Sequence, residues 1–269
     1  VFIGGRAVTG HYPQASVSVL FRNTTRSLEP AGGTLSQALG IVNGAVFSDL
    51  DGDGFPELIV ATEWGPVRVF KNQQGKFSEA TEALGLSGLT GLWQGVATGD
   101  FDGDGRTDIV ATNWGLNSSL SPSLINPPRL YYHFTDSSVP TSLILAAWDD
   151  RLKQYLPTRD LPSLFRGYAG LRGVFQSHRE YAEAGVLKLM DYHPAAAHSV
   201  TAAVLQSMVF LNRKEGFEPK PLPPEAQLSP AFGVSVGDLD GDGIDDLFLA
   251  QNFAAFPTDA DRLDAGRGL

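Results

Sequence analysis

The sequence predicts an all-β chain built from repeated hairpin units, and three observations predict it. An acidic stretch recurs with one spacing, as Asp49-Leu50-Asp51-Gly52-Asp53-Gly54-Phe55-Pro56-Glu57, Asp100-Phe101-Asp102-Gly103-Asp104-Gly105-Arg106-Thr107-Asp108 and Asp238-Leu239-Asp240-Gly241-Asp242-Gly243-Ile244-Asp245-Asp246. Each copy runs into an apolar, strand-like segment: Leu58–Ala61, Ile109–Ala111 and Leu247–Ala250. The composition, with 30 Gly, 17 Pro and 42% hydrophobic residues in 269, suits many turns around a buried sheet core better than a helical bundle. A strand-like segment also precedes each acidic stretch, with a Gly five residues before the first Asp (Gly44, Gly95, Gly233). The unit is therefore strand, acidic turn, strand.

Each turn reads D-x-D-x-D-G-x-x-[DE]. Carboxylates at positions 1, 3, 5 and 9 and a backbone carbonyl at 7 can surround one hard cation, and Ca²⁺ takes about 6–8 oxygens at roughly 2.3–2.6 Å. The expected ligands are Asp49, Asp51, Asp53 and Glu57 with the Phe55 carbonyl. The second set is Asp100, Asp102, Asp104 and Asp108 with the Arg106 carbonyl, and the third is Asp238, Asp240, Asp242 and Asp246 with the Ile244 carbonyl. Without an ion, four carboxylates so close together repel one another. A solvated acidic turn would explain one copy but not three with identical spacing. These are not EF-hands: position 12, where an EF-hand has a bidentate Glu, holds Val60, Ala111 and Leu249, and strands rather than helices flank the turn.

In chain order, residues 1–43 read as the tail of one repeat, with a strand at Val17–Phe21 and a turn at Arg22–Thr24. Residues 44–94 form the cleanest unit: Leu58–Thr62, Val67–Phe70, a turn at Asn72–Gly75, then Lys76–Ser78. Four short strands in about fifty residues is the size of a propeller blade. The run Leu58–Ala61 lacks polar alternation, which predicts burial on both faces between neighbouring units. Residues 95–132 begin a second unit. Ala-Thr-x-Trp-Gly occurs at 61–65 and 111–115, one residue closer to its acidic turn in the second copy, so a residue or a bulge is expected to be missing there. Trp64 and Trp114 are expected to pack between units. Residues 129–150 read as a decayed copy in which His133, Thr135, Ser137 and Thr141 replace the four carboxylates, leaving a hairpin without calcium. Residues 151–200 read as a helical insertion, with Ser177 capping a helix from His178 to Met190. Such insertions often carry function. Residues 201–232 return to strand, with Met208–Leu211, a turn at Asn212–Gly216 and Phe217–Pro219 before the third acidic turn.

The formal charge is −10, and twelve of the thirty acidic residues are the proposed ligands, so three divalent ions would bring it to −4. That balance argues against a phosphate-backbone partner, which needs a Lys/Arg surface. No Cys is present, excluding a disulfide framework, a Cys zinc site and thiol chemistry. No apolar run approaches the roughly 18 residues of a transmembrane helix. The chain begins at Val1 within a strand-like run and reads as a piece of a longer protein. Two glycosylation-type triplets, Asn23-Thr24-Thr25 and Asn117-Ser118-Ser119, matter only in a eukaryotic secretory setting. For catalysis the candidates would be His11, His133, His178, His193 and His198, but there is no Gly-x-Ser-x-Gly elbow, His-Glu-x-x-His or Walker loop. Arg159-Asp160 reads as an ion pair or a helix cap, and the turn carboxylates would be committed to the ion.

The acidic turns, together with the Val-Phe-x-Asn…Gly-x-Phe segments from Val69 to Phe77 and, more loosely, Val209 to Phe217, resemble FG-GAP/VCBS repeats. Such repeats form the propeller of integrin α subunits and of many bacterial surface proteins. Phe2–Arg6, Gly10–Pro13, Asn113–Ser118, Pro221–Pro230, Tyr155–Asp160 and Tyr181–Ala184 are similar to bacterial VCBS-repeat proteins that often carry an ASPIC/UnbV domain. The resemblance implies that residues 1–269 are about four to five blades of a seven-bladed β-propeller, with Ca²⁺ in the blade hairpins. It implies a calcium-binding scaffold at the cell surface, outside the cell or in the periplasm, for protein or glycan contact. The alternative is a propeller-based lyase or hydrolase that uses calcium.

Overall fold

A computed structural model describes residues 1–134, 140–167, 174–175, 177–189, 198–254 and 263–266. The chain is mostly β, arranged in several antiparallel sheets. The first sheet is β1 (Phe2–Ile3), β2 (Val19–Asn23) and β3 (Leu28–Pro30), in that order. Its middle strand lies two residues later than expected from sequence, and its turn is closed by Thr24 and Ser27, between which the Thr24 N–H reaches Ser27 O at 2.8 Å. Val17, 59% exposed, stays outside the strand.

The second sheet is an up-and-down meander of β4 (Ile41–Ser48), β5 (Glu57–Gly65), β6 (Arg68–Gln73) and β7 (Lys76–Glu79), with β8 (Gly91–Leu92) on the far end of β5. This is the four-stranded unit the sequence predicts. The hairpin between β6 and β7 turns at Gln74 and Gly75, both at positive φ (53° and 90°), which the twist of a two-residue hairpin demands. Strand β5 is buried on both faces. Ile59 and Ala61 join Val69, Trp93, Ile109 and Phe210 in one core cluster, while Leu58 and Val60 join Leu35, Leu39, Val42 and Phe70 in another. Alternate residues of one strand thus glue two different neighbouring sheets, which is why the run has no polar alternation. The one-residue difference leaves the two Ala-Thr-x-Trp-Gly copies out of step on their strands: Gly44 lies opposite Ala61, whereas Gly95 O accepts the Thr112 N–H. Separately, Trp64 has a φ of 59° and the pairing of β5 with β8 slips between Glu63 and Gly65.

The third sheet is split in the sequence. It starts with β9 (Val96–Gly99) and β10 (Asp108–Ala111). The chain then leaves the sheet to form β11 (Arg129–Phe134), β12 (Pro140–Asp149), β13 (Gln154–Pro157), three helices and β14 (His198–Thr201), which make their own sheet in the order β13-β12-β11-β14. It returns as β15 (Met208–Arg213) and β16 (Gly216–Pro221), and β15 pairs with β10, giving the order β16-β15-β10-β9. The hairpin read as a decayed repeat therefore belongs to a separate inserted sheet. Its expected turn residues Thr135 and Ser137 lie outside the described residues. The insertion into the third sheet spans residues 112–207 and contains strands as well as helices.

The helices are α1 (Leu161–Gly167), α2 (His178–Ala182) and α3 (Val186–Leu189). Ser177 caps α2, its hydroxyl accepting the Glu180 N–H at 3.1 Å, as the sequence predicts. The single helix expected from His178 to Met190 is broken between Ala182 and Val186. At the break, Gln154 Nε2 of β13 donates to Glu183 O at 2.9 Å, and a Cβ at Gly185 would come within 2.7 Å of Gln154 Oε1. Met190 lies outside the described residues. Asp160 caps α1 by accepting the Ser163 N–H at 2.9 Å. Tyr181, Ala184, Val186 and Leu189 bury against Tyr131, Ile144, Leu161 and Leu164 to form the insert's own core.

The last sheet described is the hairpin β17 (Ala231–Gly237) and β18 (Asp246–Gln251). Strands β4, β9 and β17 run beside one another, bringing the second, third and last sheets into contact. The recurrent glycines explain how close they come. A Cβ at Gly44 would lie 2.8 Å from Gln94 O, and one at Gly95 would lie 3.0 Å from Phe232 O. Neither backbone could yield, so only Gly fits.

Candidate metal centre

Each acidic turn closes a hairpin, with Ser48 opposite Glu57, Gly99 opposite Asp108 and Gly237 opposite Asp246. Position 1 organises the loop. Asp49 Oδ1 accepts the N–H groups of Gly52 (2.8 Å) and Asp53 (3.2 Å), and Oδ2 accepts that of Gly54 (2.9 Å). Asp100 does the same with Gly103, Asp104 and Gly105 at 2.9, 3.1 and 2.8 Å. Asp238 accepts from Gly241 at 2.7 Å and Gly243 at 3.1 Å. Positions 4 and 6 all sit at positive φ, between 71° for Gly103 and 88° for Gly243, so the double Gly is a backbone requirement. Position 5 accepts the N–H of position 7 in every turn: Phe55 to Asp53 at 2.8 Å, Arg106 to Asp104 at 3.0 Å and Ile244 to Asp242 at 2.8 Å.

Position 9 closes the turn from the strand side. Glu57, Asp108 and Asp246 accept the N–H of position 2, from Leu50 (2.9 Å), Phe101 (3.0 Å) and Leu239 (2.9 Å). In the first two turns the other oxygen accepts a backbone N–H from the next strand of the sheet, Asn72 at 3.3 Å for Glu57 and Asn212 at 2.6 Å for Asp108. Glu57 is 2% exposed and Asp108 is fully buried. Burial pushes both carboxyls above their ordinary values, against the pull of those N–H groups and with some help from the neighbouring carboxylates.

Carboxylate oxygens within 4.8 Å of one another come from Asp49, Asp51 and Asp53 in the first turn, Asp100, Asp102 and Asp108 in the second, and Asp238, Asp240 and Asp246 in the third. Glu57, Asp104 and Asp242 lie outside these three groupings, at the same turns. Two cationic side chains act on the second turn. Arg213 Nη1 lies 2.8 Å from Asp102 Oδ2 and 3.0 Å from Asp104 Oδ2, and Arg106 pairs with Asp104. Slight desolvation at Asp102 is outweighed by the hydrogen bond and charge of Arg213, which hold its carboxyl below the ordinary value. In the first turn Lys71 approaches Asp51 at 3.3 Å.

The turns are wired to each other. Asn212 Nδ2 donates to Leu50 O of the first turn (2.8 Å) and to Thr107 O of the second (3.0 Å). Asp245 of the third turn accepts the Asp100 N–H at 2.9 Å and returns its own N–H to Asp100 O at 3.0 Å. Hard carboxylate donors, glycines that permit the bend and buried carboxylates with backbone partners fit a hard divalent cation.

Sequence reasoning missed two features. One is the Asn that registers the third strand on position 9. Its signal was Phe-x-Asn at 21–23, 70–72 and 210–212, of which the first escaped notice. The other is a polar cluster at the far end of β5, where Tyr12 donates to Glu63 Oε1 at 2.5 Å, accepts from Trp64 Nε1, and Asn43 and Arg6 approach Glu63 Oε2. Burial and the Glu63 carboxylate push the Tyr12 hydroxyl up. Trp64 and Trp114 pack against Leu92, Leu120, Ala202 and Leu205, where the insert leaves and rejoins the array. Of the histidines, His11 Nδ1 lies 2.9 Å from Thr9 O, His198 stacks on Tyr132, His178 opens α2, and His193 is outside the described residues. No helix among the described residues is long and apolar enough to cross a membrane.

Residues 49–111 match the family model described as FG-GAP-like repeat. The chain thus carries FG-GAP-like repeat sequence across its first two acidic turns. No curated protein matches the chain.

Proposed function

We propose that this chain is a calcium-stabilised β-propeller-type scaffold that acts outside the cytoplasm, at the cell surface or in the periplasm, and presents its loops and its insert to a protein or glycan. The observation that carries the calcium reading is the buried position-9 carboxylate. Glu57 and Asp108 are removed from water, and their hydrogen bonds are to backbone N–H groups. A buried anion needs a compensating charge; in the second turn the carboxylates at positions 1 and 3 converge with Asp108, and in the first turn those at positions 1, 3 and 5 converge on the same loop as Glu57. Asp49, Asp51, Asp53 and Glu57 would hold one ion, Asp100, Asp102, Asp104 and Asp108 a second, and Asp238, Asp240, Asp242 and Asp246 a third, each with the position-7 carbonyl of Phe55, Arg106 or Ile244. The bound ion supplies positive charge to the turn. The chain's own part is to fix the turn: position 1 gathers the loop N–H groups, and position 9 ties the loop to its strand. The FG-GAP-like match and the side-by-side strands β4, β9 and β17 support the propeller-type arrangement.

Calorimetric titration with CaCl₂ tests this. Three binding events are expected per chain, and Asp136→Ala, in the stretch of sequence between β11 and β12, leaves that number unchanged. Absence of binding heat at millimolar calcium, a concentration at which extracellular modules of Kd about 10⁻⁴–10⁻³ M bind, overturns the reading.

A further inference from the structure

The second turn differs from the others in having a guanidinium seated on its carboxylates. Arg213, on β15, reaches two carboxylates of the turn through one nitrogen, Asp102 at 2.8 Å and Asp104 at 3.0 Å. Its Nε simultaneously lies 3.2 Å from Glu218 Oε2 on β16. The equivalent residue in the second sheet is Gln73, since Asn72 and Asn212 occupy matching places beside Glu57 and Asp108. The first turn has a single contact, Lys71 to Asp51 at 3.3 Å. Among the described residues no Lys or Arg pairs with Asp238, Asp240, Asp242 or Asp246.

We infer that Arg213 is an internal competitor for the cation at the second turn: it neutralises Asp102 and Asp104 until an ion arrives, then transfers its contacts to Glu218. The inference rests on the calcium reading of the turns. The guanidinium presents several donors in a planar fork, so Arg213 can leave Asp102 and Asp104 while keeping Glu218. Asp102, Asp104 and Arg213 are each at least a quarter exposed, so the exchange needs no opening of the core. The second turn is therefore the weakest of the three sites.

Calcium titration of the full chain by calorimetry tests this, with folding of each variant checked by its melting curve. The wild type should show two tighter sites and one weaker site. Arg213→Gln, which installs the residue of the second sheet, should tighten the weaker site by roughly fivefold to tenfold, the range of one or two exposed charge pairs, and leave the other two unmoved. Glu218→Gln should weaken the same site about threefold, because the displaced arginine loses its second partner. In an Arg213→Gln background, Glu218→Gln should do nothing. A Glu218→Gln effect of equal size with and without Arg213 is a field effect of one surface charge and overturns the competitor. So do three equal wild-type sites unmoved by Arg213→Gln. No binding in wild type or either variant instead overturns the calcium reading, and the competitor with it. Should Arg213→Gln fail to fold, Arg213→Lys, which keeps the charge without the fork, must give a smaller shift in the same direction.

Discussion

The second and third sheets reach the same arrangement by different routes. In the second, β5 runs directly into β6, and Leu58 pairs with Phe70 and Ile59 with Val69. In the third, residues 112–207 intervene, and Ile109 still pairs with Phe210 and Val110 with Val209. In both, the backbone N–H of an Asn lands on the position-9 carboxylate. The acidic turn therefore does more than offer cation ligands. Its buried carboxylate is a registration mark for the third strand, whatever chain lies between. Loop-closure entropy permits this, since doubling a loop costs only about 0.6 kcal/mol. The insert also returns its ends to the same place: Gly115 N–H bonds Leu205 O at 2.7 Å, and Asn113 N–H bonds Ser207 Oγ at 3.0 Å. The difference lies in the side chain of the Asn. Asn72 stays within its own sheet, on Pro56 O of the first acidic turn and the Gly75 N–H of its hairpin, whereas Asn212 bridges two acidic turns.

The largest expected effect tests whether the interrupted sheet is as well built as the continuous one. Phe70 and Phe210 are both fully buried, Phe210 edge-on to Trp93 at 5.6 Å. Phe70→Ala and Phe210→Ala should each cost about 3–5 kcal/mol in denaturant unfolding. If Phe210→Ala costs much less, β15 belongs energetically to the insert and not to the third sheet. The next effect concerns the bridge. Asn212→Ala removes donors to two carbonyls and should cost about 2–3 kcal/mol; Asn72→Ala should cost about 1–2 kcal/mol. Equal losses would mean that the link to Leu50 O adds nothing.

The same comparison shows what could be read from the residues and what could not. The acidic turns and the strands around them were legible because the chemistry is local: fixed carboxylate spacing, glycines at the bends, apolar runs on both sides. So was Ser177, which caps the helix starting at the next residue by accepting the N–H three residues on. The split of the third sheet was not legible, because nothing local to Ala111 says that its neighbour will be Met208. Leu130–Tyr132 and Leu143–Leu145 have the strand pattern of the repeat, and only tertiary pairing with β13 and β14 reveals them as a different sheet. At the break near Gly185 the contact comes from Gln154, again a distant residue. The recurrent Gly before each turn was visible, but for Gly44 and Gly95 its reason lay outside their own hairpins, at Gln94 O and Phe232 O.

Removing calcium gives the next smaller effect. Each site should contribute on the order of 1 kcal/mol at millimolar calcium, because the ion binds the folded turn and hardly the unfolded chain. Chelator should therefore lower the melting temperature. Asp51→Ala and Asp102→Ala should each remove part of that response, and Asp102→Ala the smaller part, because Arg213 already offsets the charge there. A melting curve indifferent to chelator counts against the scaffold reading, and a larger loss for Asp102→Ala counts against the ranking of the two turns.

The smallest effect separates the outer edges of the two sheets. On the second sheet, Arg68 of β6 holds Glu79 of β7 through two contacts, Nε to Oε1 at 2.8 Å and Nη2 to Oε2 at 2.6 Å. The Arg68 hydrogen bond outweighs partial burial and, with its charge, holds the Glu79 carboxyl below its ordinary value. A depressed carboxyl stabilises the fold above its unfolded pKa, and that contribution fades as pH falls through the folded pKa. The Glu79 side chain is 40% exposed, so solvent screening limits the contribution to about 0.2–1 kcal/mol. Glu79→Gln should thus lower the melting temperature slightly near pH 7, and the gap from wild type should close in the acid range where carboxylates protonate. Salt of about 1 M should also narrow the gap. On the third sheet, Glu218 is shared between Lys220 and Arg213, and Arg213 is divided with the second turn. Glu218→Gln should accordingly change stability less than Glu79→Gln in chelator and more in calcium, when Arg213 has left the turn. If the gap for Glu79→Gln stays constant down the acid limb, the pair with Arg68 does not hold the edge. If Glu218→Gln is blind to calcium, the two edges are alike, and Arg213 stays on the second turn.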